Sequence, residues 1–125
     1  MIGYVTLGTN DFSKATTFYD KLLAALGAKR LFATERVVAW GTSMSAPGLG
    51  VCLPYDGQPA TRGNGTMVAL AVDSNDKVDA IYKLALELGG TDEGKPGPRS
   101  DGFYAGYFRD LDGNKLNCFC MGAPT

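Results

Sequence analysis

The sequence predicts an α+β fold built from two tandem βαβββ modules, whose mixed sheets curl around a shared concave cleft. Three observations predict it. Apolar residues twice alternate with period two and then recur at helical spacing. The second pattern repeats the first at a shift of 63 residues, pairing Tyr4 with Met67, Val5 with Val68, Leu7 with Leu70, Lys14 with Lys77 and Tyr19 with Tyr82. Finally, a chain of 125 residues is one ordinary domain, able to bury roughly 65–70% of its unfolded surface. Two copies of so short a unit are no solenoid, and each must find cover for its hydrophobic faces.

The elements follow in order. Residues 2–8 alternate as a strand, with Val5 and Leu7 on one face and Tyr4, Thr6 and Gly8 on the other. Asn10 or Asp11 can cap the next element, because a short side-chain oxygen satisfies a free N–H of a first helical turn. Phe12, Ala15, Phe18, Tyr19, Leu22, Leu23 and Leu26 then recur at helical spacing as far as Gly27, a suitable stop. Three short strands are expected at 28–33, 37–41 and 49–53, separated by turn formers such as Ser45, Pro47 and Gly48. Residues 1–55 thus form the first module, and 56–65, rich in turn residues and without periodicity, form a linker.

The second module, 66–125, restarts the pattern. Residues 66–73 alternate, Ser74 is a natural N-cap, and Val78, Ile81, Tyr82, Ala85 and Leu88 make a helical stripe closed by Gly89 and Gly90. Short strands follow, then a break at 93–102 marked by Gly94, Pro96, Gly97 and Pro98. A strand at 103–109, a turn at 110–114 and a last strand at 115–121 complete the chain. In each module the helix covers the face of Val5 and Leu7, or of Val68 and Leu70, which leaves Tyr4, Thr6, Met67 and Ala69 on the concave face.

Charge and composition exclude several functions. With 12 Lys and Arg against 13 Asp and Glu, the chain has no basic field to gather phosphates, so no nucleic-acid partner is expected. No stretch approaches the roughly 20 apolar residues of a membrane helix, so the expectation is a protein without a membrane partner, located in the cytoplasm. Cys52, Cys118 and Cys120 are odd in number, which argues against a disulfide framework, and the last two share one face of a strand as small buried hydrophobes. Most consequential, the chain has no histidine. Asp110-Leu111-Asp112-Gly113-Asn114 reads as a tight turn rather than an acid–base pair or a calcium loop, which would need more oxygen ligands at regular spacing. Gly63-Asn64-Gly65 is likewise a turn into a strand, with no helix following to make a phosphate loop.

The paired βαβββ pattern, Phe18-Tyr19 on the first helix, Gly63-Asn64-Gly65-Thr66 opening the second module and the run from Tyr107 to Leu116 with its Arg-Asp-x-Asp-Gly-Asn turn together resemble the vicinal oxygen chelate superfamily. That group contains glyoxalases, bleomycin-resistance proteins and extradiol dioxygenases. The resemblance covers essentially the whole chain. It implies a divalent metal in the cleft of catalytic members, with ligand slots that fall here on Tyr4, Met67, Asn117 and, in the fourth strand, Gly50 or Cys52. None of these is histidine, aspartate or glutamate, so no metal and no cofactor are expected, and dioxygenase chemistry with two histidines and a carboxylate is excluded by composition.

Alternation and the resemblance together place Tyr4, Met67, Asn117 and Phe119 on the cleft, where Trp40 and Tyr107 would add aromatic lining suited to a flat apolar ligand. Arg99, in a loop that approaches the cleft mouth in relatives, could clamp a carboxylate. The expected ligand-binding set is therefore Tyr4, Thr6, Trp40, Met67, Ala69, Arg99, Tyr107, Asn117 and Phe119. The function this implies is metal-free binding of a small aromatic or hydrophobic molecule. An alternative is a lyase or isomerase of glyoxalase type with a metal-independent site drawn from Tyr4, Asn117, Glu35 and Cys52, with Asp101 a further proton-transfer candidate. A third option is a filled cleft in a pure interaction module. The resemblance also implies a homodimer.

Overall fold

The computed structural model describes residues 1–122; the last three residues of the second expected module, 123–125, lie outside them. The element order is β1 (Tyr4–Gly8), α1 (Phe12–Ala24), β2 (Lys29–Ala33), β3 (Val37–Gly41), β4 (Gly48–Cys52), β5 (Val68–Ala71), α2 (Asn75–Glu87), β6 (Thr91–Ser100), β7 (Phe103–Arg109) and β8 (Lys115–Met121). This is βαβββ twice. The chain divides into two compact units, Met1–Gly63 and Asn64–Thr125.

In the first unit the strands lie in the order β1-β4-β3-β2. β1 runs parallel to β4, with Tyr4 opposite Gly48 and Gly8 opposite Cys52, and the other pairs are antiparallel. Of the two capping candidates, Asp11 is the one used: its carboxylate accepts from the Lys14 backbone N–H at 3.2 Å. The helix stops at Ala24, short of Gly27, whose φ of +80° lets the chain turn so that Ala28 N–H reaches the Leu23 carbonyl at 3.0 Å. Ala15, Phe18, Tyr19, Leu22 and Leu23 bury one helix stripe, and Leu7, Val38, Trp40, Leu49 and Val51 form the buried sheet face.

The second unit repeats the plan in the order β5-β8-β7-β6, again with one parallel pair, β5 with β8. α2 spans Asn75–Glu87, each end 63 residues after the corresponding end of α1, and Ser74 caps it by accepting from Lys77 N–H at 3.2 Å. Val78, Ile81, Tyr82 and Ala85 pack over Phe108, Leu116, Cys118 and Cys120. Two phenols tie this helix to its sheet: Tyr82 donates to Asp92 at 2.8 Å and Tyr104 donates to Asp79 at 2.7 Å.

One expectation is overturned. Of residues 93–102, read as a break, 93–100 form most of β6, a ten-residue strand, and only Asp101 and Gly102 turn. Glycine and proline usually interrupt strands, but β6 is the outer strand of its sheet, where a missing N–H need break no ladder bond. Its irregularities are absorbed as register shifts between Asp92 and Gly94, Gly94 and Gly97, and Pro98 and Ser100.

Candidate functional site

Each sheet has one face under its helix and one face without. In the first unit the helix-free face is floored by small residues. A Cβ on Gly50 would meet Thr6 Cγ2 at 3.4 Å and Ala39 Cβ at 3.6 Å, and one on Gly48 would meet Tyr4 Cβ at 3.6 Å. Tyr4 and Phe32 stand above this floor, their rings edge to face at 6.3 Å. At the far end the linker folds back: a Cβ on Gly8 would come within 2.9 Å of Ala60 Cβ. Asn10 holds Ala60 at both backbone groups, accepting from its N–H at 2.7 Å and donating to its carbonyl at 3.2 Å.

Trp40 does not belong to that face, which corrects the sequence expectation. It is 1% exposed, its ring lies 5.7 Å from that of Tyr19 on α1, and its indole N–H donates to Asp20 at 2.8 Å. Arg30 completes the group, with Nε and Nη2 each 2.9 Å from the same carboxylate. The Arg30 hydrogen bond is the main reason the Asp20 carboxyl is held below its ordinary range, with Trp40 reinforcing it against desolvation. The run Val37-Val38-Ala39-Trp40 is apolar throughout, so alternation gives no sign of which face Trp40 takes.

The proposed catalytic residues of the first unit are not brought together. Tyr4 pairs with Gly48 and Cys52 with Gly8, four residues apart along parallel strands, a separation of about 13 Å. Glu35 is exposed in the turn between β2 and β3. Its neighbour Arg36 is engaged elsewhere, donating to the Pro54 carbonyl at 2.9 Å.

The helix-free face of the second unit carries more chemistry. Tyr107 and Asn117 are direct partners across β7 and β8, and Ala69 lies beside Asn117 on β5. Asn117 is 2% exposed, and its side-chain Oδ1 is buried with no hydrogen-bond partner among the described residues. Such an orphaned acceptor ordinarily costs about 1–3 kcal/mol. Phe119 stacks on Phe103 at 5.4 Å between ring centroids. Arg99 and Lys115 both lie against Tyr107, at 5.3 and 5.5 Å from the ring centre. Met67 falls just before β5 and is 41% exposed.

Lys115 and Phe103 are members of this face that the sequence reading missed. Lys115 stands two residues before Asn117 on the same strand, so alternation alone could have found it. Asp101 is exposed in the turn after β6, and Arg109 is neutralised by Glu93, with Nε to Oε1 at 3.0 Å. Cys118 lies on the opposite, helix-covered face, where burial above all, and then Cys120, push its thiol up to about 12. It stays protonated at neutral pH and is no nucleophile.

The slots that the resemblance assigns to a catalytic divalent metal do not fit one. The first unit offers a phenol and, at the far end of its sheet, a thiol; the second offers an amide and a thioether. Such metals take three strong imidazole, carboxylate or thiolate ligands. Among the described residues no group of three or more His, Cys, Asp or Glu side chains could hold a metal ion. Among the same residues no helix is long and apolar enough to cross a membrane.

Comparison with known proteins agrees with the fold. The family model for the Glyoxalase/Bleomycin resistance protein/Dioxygenase superfamily matches residues 1–118. A crystal structure of a glyoxalase/bleomycin resistance protein from Albidiferax ferrireducens T118 shares 36% identity, with a TM-score of 0.89 and 99% of each chain covered. Hypothetical protein SA1046 from S. aureus shares 26% identity at a TM-score of 0.72, covering 96% of this chain and 92% of that one. A lactoylglutathione lyase from Agrobacterium tumefaciens, at 18% identity, TM-score 0.69 and coverage of 96% and 92%, shares the fold. No curated protein matches the chain.

Proposed function

The chain belongs to the glyoxalase/bleomycin resistance protein/dioxygenase superfamily, and we propose that within it this protein binds a small aromatic or hydrophobic molecule without a metal. The observation that carries this reading is Asn117, a buried amide whose Oδ1 has no partner among the described residues, set on a helix-free sheet face beside Tyr107 and Phe119. A buried acceptor without a partner is stabilised when a ligand supplies a donor. The aromatic rings beside it supply flat apolar contact. The misfit of the metal slots supports metal-free binding, since the family positions here offer at most one strong ligand, the Cys52 thiol, where a catalytic metal takes three.

The test is thermal denaturation of untagged protein against a panel of one- and two-ring aromatic compounds, with and without a chelator. At least one compound raises the melting temperature in a concentration-dependent way by mass action, and the chelator changes neither the free nor the bound transition. One tightly held metal per chain, measured by inductively coupled plasma mass spectrometry, overturns the reading.

The assembly that goes with this reading is a homodimer in the cytoplasm. Ile2, Tyr4, Val5 and Phe32 leave apolar surface exposed at 53, 60, 37 and 41%, surface that a second copy would cover. Sedimentation velocity showing only a monomer at micromolar concentration would remove the dimer.

A further inference from the structure

Resting on the binding reading above and sharpening it, we infer that the ligand of the second unit's helix-free face is an aromatic carboxylate that also carries a hydrogen-bond donor. Tyr107 lies between two cations. Its ring has a cation against it from each of two elements, Arg99 from β6 and Lys115 from β8, at 5.3 and 5.5 Å from the ring centre. Neither cation forms a salt bridge among the described residues. Two other arginines of the chain differ. Arg109 is paired with Glu93 and Arg30 with Asp20. Among the described residues the carboxylate nearest in register, Glu93, is taken by Arg109 directly across from Lys115, which leaves the two cations at Tyr107 without an ion-pair partner.

Arg99 is fixed in place. Its Nη1 donates to the Gly97 carbonyl at 2.9 Å and its Nη2 to the Lys95 carbonyl at 2.6 Å. Two glycines make room for this pose. A Cβ on Gly97 would stand 3.3 Å from Arg99 Nη1, and one on Gly94 would stand 3.4 Å from Nη2 and 3.3 Å from Tyr107 Cδ1. The irregular backbone of β6 therefore lets a guanidinium lie against the ring with N–H groups left over, since a guanidinium has five in all and the two carbonyl bonds use two. A pre-positioned guanidinium is the group best suited to a carboxylate, and holding it in advance removes part of the ordering cost of binding.

Asn117 supplies the second half of the specificity. It lies directly across from Tyr107, and its buried Oδ1 accepts from nothing among the described residues. A ligand with an anion for Arg99 and Lys115, a flat body for Tyr107 and Phe119, and an O–H or N–H for Asn117 satisfies every group on the face at once. A neutral hydrocarbon would leave both the cations and the acceptor unanswered.

The experiment is isothermal titration of the intact protein with benzoate, 4-hydroxybenzoate, 6-hydroxy-2-naphthoate and the methyl ester of each, at low and high salt. The acids are expected to bind about tenfold or more tightly than their esters, an advantage that salt reduces. Arg99→Gln and Lys115→Gln each lower acid affinity by a larger factor than ester affinity, so that the advantage of acid over ester shrinks. Both residues are partly or fully exposed, so these variants keep the fold, checked by circular dichroism. Asn117→Leu, in the same assay, removes the advantage of the hydroxyl over benzoate itself. Esters binding as tightly as acids, or an Arg99→Gln variant as good as the parent, would overturn the inference while leaving aromatic binding intact. If neither acids nor esters bind, the binding reading of this face falls with it.

Discussion

Trp40 donates its indole N–H to Asp20 at 2.8 Å, joining the end of β3 to the second half of α1. The same carboxylate receives both Arg30 bonds from β2. One acid on the helix thus clamps two adjacent strands, and it is this clamp, together with Tyr19, that turns the indole away from the helix-free face. The consequence for function is direct. Trp40 stabilises the first unit and does not meet a ligand on that face.

Trp40→Phe is expected to cost about 2 kcal/mol, from the lost bond to a charged acceptor and from the volume the smaller ring leaves. Asp20 is partly exposed and can take up water, which keeps the cost at that level. Urea denaturation followed by circular dichroism measures it, since the substitution removes the single tryptophan. An unchanged midpoint would mean the indole contributes nothing to the clamp.

Stability should fall as acid is added, in a window set by depressed carboxyls. Asp20 is held below its ordinary value of 3.8 chiefly by Arg30, and Asp92 is held below the same value chiefly by the Tyr82 hydroxyl. A carboxyl whose folded pKa is lowered binds its proton more readily in the unfolded chain. Its contribution is therefore complete above the ordinary value and is lost as pH falls through the folded one. Urea midpoints taken from neutral pH down should be flat and then drop below about pH 4, and Asp20→Asn should lessen the drop. A midpoint independent of pH across that range contradicts the assignment.

Asp110 organises the turn between β7 and β8. Its Oδ1 accepts from the Asp112 and Asn114 backbone N–H groups, both at 2.9 Å, and its Oδ2 accepts from the Asn114 side-chain amide at 2.9 Å. Asp110 and Asn114 are both buried. Asp110→Ala should therefore cost about 3 kcal/mol, because it removes a charged acceptor and strands buried donors. Asp110→Asn, which keeps one oxygen, should cost less. Equal midpoints for the parent and Asp110→Ala would show the turn closing without it.

Much of the architecture is legible in the chain. The two helices are announced by their apolar stripes and by caps three residues before the N–H they satisfy, Asp11 for Lys14 and Ser74 for Lys77. Strands β3, β7 and β8 fall where sequence places them, at 37–41, 103–109 and 115–121. β6 is not legible, because whether Gly94, Pro96, Gly97 and Pro98 break a strand depends on its being an outer one, and sheet order is not a local property.

The site divides along the same line. That Asn117, Tyr107 and Phe119 share a face follows from the pairing of β7 with β8 and from period-two alternation, and the lack of histidine is a property of composition alone. Which face Trp40 occupies, and that Arg99 comes to lie against Tyr107, were decided by tertiary structure. Trp40 sits in an apolar run with no alternation, and its partner Asp20 is 20 residues away on a different element. Arg99 reaches its ring only because bulges at glycines remove the side chains that would stand between them. Periodicity can assign a side chain to a face wherever polar and apolar residues alternate; where they do not, only the packing of helix on sheet chooses the side.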